Sequence, residues 1–195
     1  MLFYDFEVFI YDWLVVITDT DTHSEHVFVN DVDGLIQFYN QHKRDIWIGY
    51  NSRHYDQYIL KAIICGFKPQ EINNYIIVQN KPGWQFYKDF WKIQLFNYDV
   101  MTNKFRSLKQ LEGFQGHDIR ESSVSFDILR ELTPDEIQEV ISYCRHDVHE
   151  TMNVFMETIS EFESQVELLK MFGLPLKHIS KTKAQLSAFI LDAKQ

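Results

Sequence analysis

One stretch near the N-terminus guides the interpretation of the whole chain: Leu2-Phe3-Tyr4-Asp5-Phe6-Glu7-Val8-Phe9-Ile10. Aromatic and β-branched residues dominate this stretch, which is typical of a buried β-strand. Two acids, Asp5 and Glu7, interrupt the apolar run. Because side chains alternate between the two faces of a strand, these carboxylates are expected on one face, roughly 6–7 Å apart.

The pair of acids has two possible explanations. Two carboxylates side by side on an apolar strand repel each other and lose hydration, so a divalent cation with oxygen ligands is expected between them. Asp5 and Glu7 are therefore candidate metal ligands. A solvent-exposed edge strand that uses two charges to prevent edge-to-edge pairing would give the same pattern.

The composition is that of a folded globular protein. The 195 residues are 45% hydrophobic and 15% aromatic, which is enough to bury a core. This length predicts one large domain, or one domain with an appendage. Cys65 and Cys144 are expected to be reduced thiols of a cytoplasmic protein rather than a disulfide. No apolar run reaches membrane-spanning length, so no membrane partner is expected, and a signal peptide is not indicated either.

The net charge of −9 limits how the protein could interact with nucleic acid. Phosphates are bound first by Lys and Arg, so this charge argues against a stand-alone, tight DNA binder. It does not exclude an enzyme that uses metal ions to neutralise phosphates at one small site. Such a site would itself require an excess of carboxylates.

The pattern along the chain predicts an α/β fold. Three close strands, expected at 2–10, 13–18 and 26–29, suggest an antiparallel meander, and further strands are expected at 46–50 and 92–100. Helices are expected at 31–42, from about 51 to 66, at 69–79, 107–112 and 182–192, and from 133 to 171 as one long helix or two joined by a kink. This order implies a mixed five-stranded sheet, part antiparallel and part parallel, flanked by helices.

The start of the long helix is the clearest local signal in the sequence. Thr133 is expected as the N-cap, Pro134 occupies the first helical position, and Glu136 completes a capping box. The helix that begins there should carry an apolar face toward the core.

A third acid of interest, Asp56, follows a predicted buried strand and stands near a helix start. An acid in this position favours the helix dipole, which is sufficient to explain Asp56 on its own. In that interpretation Asn51 is the helix cap and Tyr55 is a core aromatic residue.

A fourth acid, Asp147, lies four residues after Tyr143, so the two share a face of the long helix. That face points inward, and an inward Asp needs a partner. A hydrogen bond from Tyr143, or an ion pair with Arg145 or a neighbouring Lys, would supply one.

Taken together and in order, these residues resemble the DEDD superfamily of 3′–5′ exonucleases, in the branch with a catalytic Tyr. Asp5-Phe6-Glu7 is similar to the first motif of that family, Asn51 with Tyr55 and Asp56 to the second, and Tyr143 with Asp147 to the third. Each motif alone is weak, but the ordered set, which spans 5–147, is specific.

A wider resemblance is to the N-terminal proofreading domain of bacteriophage-type DNA polymerases. It is carried by 107–109, 119–124 and 143–148, and by a tail at 174–176 and 181–186 that looks like the segment leading into a polymerase body. The resemblance implies an exonuclease domain at 1–172 and a C-terminal helical extension at 173–195 that leads to a polymerase domain. An excised domain is favoured over a separately encoded subunit.

The resemblance also implies a ribonuclease H-like sheet and a mechanism. Two divalent ions, Mg²⁺ or Mn²⁺, would be held by Asp5, Glu7, Asp56 and Asp147, and would hydrolyse the terminal phosphodiester of single-stranded DNA to 5′-mononucleotides. In the family's pattern, Asp5 bridges both ions and Tyr143 orients the attacking water. The implied role is proofreading for a phage-type polymerase in the cytoplasm of a bacterial host.

Residues that contact the substrate are less clearly indicated. The motifs imply contacts at Phe6, Asn51 and Tyr55, although Phe6 should point away from the acids and into the core. Phe9 and Trp84 are further stacking candidates, for which burial in the core is the stronger expectation. The densest basic cluster consists of Lys177, Lys181 and Lys183. Three interpretations are open for this cluster: contact with DNA, contact with the polymerase, or a solvated helix start.

Two other functions fit parts of the sequence. An RNA-processing 3′–5′ exoribonuclease of the same superfamily would use the same catalytic residues. A catalytically inactive relative that binds single strands or a partner would not need all five positions, and all five are present.

Overall fold

The computed structural model of the protein describes residues 1–101, 108 and 122–192. Five strands form one sheet: β1 (Leu2–Val8), β2 (Trp13–Asp19), β3 (Ser24–Val29), β4 (Ile46–Gly49) and β5 (Phe96–Asp99). Their order is β3-β2-β1-β4-β5, antiparallel across β1, β2 and β3 and parallel across β1, β4 and β5. The predicted α/β fold with a mixed five-stranded sheet flanked by helices is confirmed, and the arrangement is consistent with a ribonuclease H-like fold.

Six α-helices are present in the described ranges: α1 (Val32–His42), α2 (Asp56–Ile64), α3 (Pro69–Asn73), α4 (Pro134–Glu157), α5 (Ile159–Met171) and α6 (Lys183–Ile190). A π-helical turn follows α3 at Asn74–Val78, and 3-10 turns lie at Gly83–Gln85, Phe90–Lys92 and Leu176–Ser180. The helix expected at 107–112 lies outside the described residues, apart from Leu108. No helix in the described ranges is both long enough and apolar enough to cross a membrane.

Several predicted element bounds differ from the structure by a few residues. The region expected as one long helix or two joined by a kink is two helices, and Thr158 lies between them, with its hydroxyl donating to the Val154 carbonyl at 2.8 Å. The last strand starts at Phe96 because a 3-10 turn occupies its predicted beginning. The second helix starts only at Asp56, after a turn in which Asn51 has a left-handed φ of 55°.

Strand β1 separates two hydrophobic cores. Its even-numbered side chains, from Leu2 to Val8, are buried in a first core with α1 and α2. The opposite face, which carries Phe3, borders a second core that α4 and α5 cover. Because side chains alternate along a strand, Asp5 and Glu7 point toward the α4 side of the sheet.

Strand β1 also extends beyond its parallel neighbour. It pairs with β4 only at Leu2 and Phe3, whereas it pairs with β2 along its whole length. In the described part of the chain, no strand continues β4 beside the second half of β1. The carboxyl ends of β1, β4 and β5 meet at this edge of the sheet, which is where open α/β sheets bind ligands.

The segment after residue 173 packs against the same domain. Ile179 and Leu186 are buried in the second core. The Ser180 hydroxyl accepts the Asn97 backbone N–H of β5 at 3.1 Å, and Gln165 of α5 donates to the Ile179 carbonyl at 2.9 Å. The helical extension is therefore part of the packing of the domain.

Candidate active site

The two acids of the first motif lie on a central strand. Strand β1 is the central strand in the order and Glu7 is buried, so the explanation of a solvent-exposed edge strand for Asp5 and Glu7 is wrong. One ligand atom from each of these acids and the Cys144 sulfur all lie within 4.8 Å of one another. Glu7 is buried and Asp5 is partly buried. The first motif therefore places two carboxylates close together in the interior of the protein.

Asp5 lies at the centre of a group of acids. Burial raises the pKa of Asp5 well above its ordinary value, and the negative charges of Asp56, Glu7 and Asp147 raise it further. The Cys144 thiol opposes this shift slightly, since it lies 3.3 Å from the Asp5 carbonyl oxygen and 3.4 Å from Asp5 Oδ2 and donates toward them. The largest charge effects on Asp5 thus come from carboxylates, which is an environment that favours a cation.

Asp56 is held at this edge by the incomplete pairing of β1. Its Oδ1 accepts the Phe6 backbone N–H at 3.1 Å, on the side of β1 where β4 has ended. The side chain is only 3% exposed. Burial raises the pKa of Asp56 to about 7; the hydrogen bond from Phe6 opposes that shift and the charge of Asp99 adds to it. Asp56 is also the first residue of α2, so the favourable position on the helix dipole is observed as well.

The other residues of the second motif have structural contacts of their own. The N-cap of α2 is Tyr55, so the interpretation of Asn51 as the cap is wrong: Asn51 is exposed, and its carbonyl accepts the His54 N–H at 3.0 Å in the preceding turn. The Tyr55 hydroxyl donates to Asn73 Oδ1 at 2.7 Å, and its ring packs against the first core. Substrate contacts of Asn51 and Tyr55 remain predictions.

The third motif brings a tyrosine and an acid to the same place. Tyr143 and Asp147 lie on α4, and their side chains are hydrogen-bonded to each other. Burial raises the pKa of Tyr143, and the charges of Asp147 and Glu7 raise it further, so the phenol stays protonated at any ordinary pH. Arg145 forms a two-pronged ion pair with Glu25 of β3, with both contacts at 2.7 Å.

The structure thus brings the five predicted residues into electrostatic range of one another. The tight group of ligand atoms, however, contains Asp5, Glu7 and Cys144, and Asp56 and Asp147 are not members of it. Both of these acids still raise the pKa of Asp5, so they lie close enough to influence it.

The stacking candidates fall into buried and exposed groups. The Phe6 ring is 3% exposed and packs against Tyr4 and Trp13, so its assignment as a substrate contact is corrected: the ring has no accessible face for a base. Phe9 is buried too and stacks on Phe126 at 4.8 Å. Trp84, in contrast, is 61% exposed, so the expectation that it is buried is wrong.

Two residues near the site were not identified as site residues from the sequence. Cys144 follows Tyr143 directly on the inward face of α4, and Asp99 is the last residue of β5. Buried Asp99 accepts the backbone N–H groups of Arg53 at 3.0 Å and Met101 at 2.9 Å. Its position at the carboxyl end of a predicted parallel strand was the signal that could have identified it.

Asp99 also borders a cavity of about 520 Å³ between β5, α5 and the start of α6. Arg53 and two lysines of the predicted basic cluster, Lys181 and Lys183, line the same cavity. Lys183 forms an ion pair with Glu161 at 2.7 Å, which engages part of that positive charge within the protein.

Comparisons of this chain with protein-family models, with curated proteins and with solved structures find no match.

Proposed function

We propose that this chain is a metal-dependent 3′–5′ exonuclease that hydrolyses the terminal phosphodiester of single-stranded DNA and releases 5′-mononucleotides. The observation that carries the proposal is the interior acid cluster on the central strand, where Asp5 and Glu7 lie beside Cys144 and are influenced by Asp56 and Asp147. Burying this much negative charge is costly unless a cation compensates it. The ordered resemblance to the tyrosine branch of the DEDD exonucleases gives the reaction its class.

The donor set fits divalent metal ions. Carboxylate oxygens are the ligands that Mg²⁺ and Mn²⁺ prefer, and Asp5, Glu7, Asp56 and Asp147 provide them. When bound, a pair of such ions would polarise the scissile phosphate, activate water and stabilise the leaving 3′ oxygen.

The chain's own residues hold the site in shape. Asp5 is fixed by β1 and by the thiol of Cys144, and Asp56 is fixed by the Phe6 N–H. Tyr143, protonated and hydrogen-bonded to Asp147, keeps lone pairs on its oxygen that can accept a hydrogen bond from the attacking water. Tyr143 therefore positions water and does not act as a general base.

The biological setting is part of the proposal and rests on the resemblance. We propose proofreading for a phage-type DNA polymerase, as a linked domain or a separate subunit, in the cytoplasm of a bacterial host. Two unpaired thiols, Cys65 and Cys144, accord with a reducing compartment.

The test is hydrolysis of 5′-labelled single-stranded DNA with Mg²⁺ or Mn²⁺. The expected result is stepwise shortening from the 3′ end. Asp5→Asn and Asp147→Asn should each lower the rate by more than the roughly 10–100-fold that loss of an outer-shell partner costs. Asp33→Asn, which removes an exposed acid on α1, is the matched control and should retain full activity.

Two outcomes would contradict the proposal. Unchanged hydrolysis in folded Asp5→Asn or Asp147→Asn protein would show that these acids are not catalytic. Binding without hydrolysis by the wild-type chain would favour the inactive, binding-only alternative. Labelled RNA run in parallel decides between the two enzymes, since faster shortening of RNA than of DNA would favour the exoribonuclease.

A further inference from the structure

The segment between α3 and β5 differs in charge from the rest of the protein. Residues 74–95 contain three lysines and a single acid, Asp89, whereas the whole chain carries a net charge of −9. The segment has a local net charge of +2, counted as three lysines minus one aspartate. The positive charge of this segment would attract an anion that the rest of this acidic protein repels.

Exposed tryptophans are placed between these lysines. Trp84 is 61% exposed and Trp91 is 78% exposed, although large aromatic side chains usually bury most of their area. Five exposed side chains of this segment make up what we call the Trp–Lys surface: Lys81, Trp84, Lys88, Trp91 and Lys92.

The two tryptophans are presented by a rigid support. Phe86 stacks on Phe90 with a 6.1 Å ring separation, and Phe90 packs against Tyr58 of α2 at 5.9 Å. Gly83, next to Trp84, lies so close to Tyr58 that a Cβ at that position would be 2.4 Å from its ring. Both 3-10 turns are therefore pinned to Tyr58, two residues after Asp56.

This support connects the Trp–Lys surface to the candidate active site. Asp56 opens α2, and the same helix carries Tyr58 one half-turn later. If the 3′ end of a DNA strand is held at Asp5 and Asp56, the nucleotides on its 5′ side must lie on the surrounding protein surface. The Trp–Lys surface is therefore attached to the helix whose first residue is Asp56.

Single-stranded nucleic acid matches the chemistry of this surface. Each base offers a flat π-face on which an indole can stack, at about 1–3 kcal/mol per base, and each phosphate offers a charge for a lysine. An apolar protein partner would be matched by continuous apolar area rather than by tryptophans alternating with lysines. Asp89 balances the charge of Lys92, because Lys92 Nζ lies 3.0 Å from Asp89 Oδ2. Lys81 and Lys88 contribute the remaining positive charge of this surface.

We propose that the Trp–Lys surface binds single-stranded DNA on the 5′ side of the nucleotide that is being removed. Trp84 and Trp91 stack on bases, and the neighbouring lysines contact phosphates. The position relative to the scissile bond rests on the proposed function, whereas binding by this surface does not.

The binding test separates the surface from catalysis. Asp5→Asn protein in EDTA is titrated into fluorescent oligo(dT) of about 12 nucleotides, a length within the range of single-strand sites, and anisotropy is measured. Introducing Trp84→Ala and Trp91→Ala together into the Asp5→Asn protein should weaken binding of the oligonucleotide at least about tenfold, because two stacking contacts are lost. Adding Lys88→Ala should flatten the salt dependence of binding.

Matched controls remove exposed side chains elsewhere. Leu129→Ala truncates an apolar residue that is 81% exposed, and Lys170→Ala removes an exposed lysine that is paired with Glu167. Both should leave binding unchanged. Circular dichroism and melting temperatures must show that the tryptophan variant is folded. Unchanged affinity in this folded variant would overturn the proposal, and a competing protein ligand bound through the same tryptophans would also count against it.

A hydrolysis test distinguishes failure of this inference from failure of the proposed function. If both hold, the tryptophan variant with wild-type Asp5 degrades oligo(dT) more slowly at low substrate concentration but cleaves a dinucleotide at the normal rate. If wild-type protein binds oligo(dT) through the tryptophans yet cleaves neither substrate, only the proposed function fails. If it cleaves both substrates and the variant does so equally well, only the Trp–Lys surface fails.

Discussion

Asp56 is a buried acid whose ionisation works against folding. Its folded pKa is about 7, raised mainly by burial, whereas an Asp in an unfolded chain titrates near pKa 4. Between those values the native state holds a proton that the unfolded state has lost. The stability contributed by protonated Asp56 is therefore fully present below about pH 4 and is lost as pH rises through about 7.

The Asp56→Asn variant tests this effect. Asn keeps an oxygen that can accept the Phe6 N–H and cannot ionise, so in EDTA the variant should be more stable than wild type at pH 8, by on the order of 4 kcal/mol, and similar at pH 4. Urea unfolding at the two pH values measures the difference. An equal pH dependence in variant and wild type would contradict the raised pKa of Asp56, and Asp33→Asn is the control for removal of an acid elsewhere.

Helix α4 carries two of the five candidate catalytic residues and depends on a well-formed start. The Thr133 hydroxyl accepts the Glu136 N–H at 3.3 Å, and Glu136 Oε2 accepts the Thr133 N–H at 2.8 Å. This is the capping box that the sequence predicts. It fixes the register of the helix on which Tyr143 and Asp147 share a face.

Removing the cap should weaken the protein without altering the chemistry of the site. Thr133→Ala is expected to lower the free energy of unfolding by about 1 kcal/mol, because the Glu136 backbone N–H loses its side-chain acceptor. Thr133→Ser keeps the hydroxyl and should behave like wild type. Chemical unfolding gives the comparison; equal stability of the Ala and Ser variants would mean that the cap contributes nothing.

Elements were predictable where their signals are local. The capping box at Thr133 depends only on neighbouring residues, and it is observed. The start of α2 depends on a turn in which Asn51 has a left-handed φ. The local sequence does not predict this turn, so the helix was expected to begin about five residues too early. The sequence predicts one long helix or two joined by a kink, but the position of the break at Thr158 depends on how α4 and α5 pack over the second core.

At the scale of the molecule, the acids become a site only when the sheet is assembled. The alternation of β1 predicted the side-by-side placement of Asp5 and Glu7, since it follows from strand geometry alone. The approach of Cys144 and the position of Asp99 depend on strand order and on where α4 crosses the sheet. The exposure of Trp84 likewise depends on which neighbouring rings pack against Tyr58.

Metal binding should stabilise the assembled protein. An ion that binds only the native site raises the free energy of unfolding by about 2.7 kcal/mol at a concentration of 100 times its Kd. Mn²⁺ should therefore raise the melting temperature of wild type and of Asp33→Asn in a saturable manner, and should leave Asp5→Asn nearly unchanged. A rise of the same size in Asp5→Asn would place the ion elsewhere on this acidic surface.

The backbone of Phe6 links the interior of the sheet to the candidate site. Its ring is locked in the first core, while its N–H, lacking a strand partner on that side, donates to Asp56 at 3.1 Å. The NMR chemical shift of an amide proton responds to the charge on its acceptor. The Phe6 amide is thus a spectroscopic reporter built into the fold: it senses proton loss from Asp56, or capture of that carboxylate by a cation, without any label.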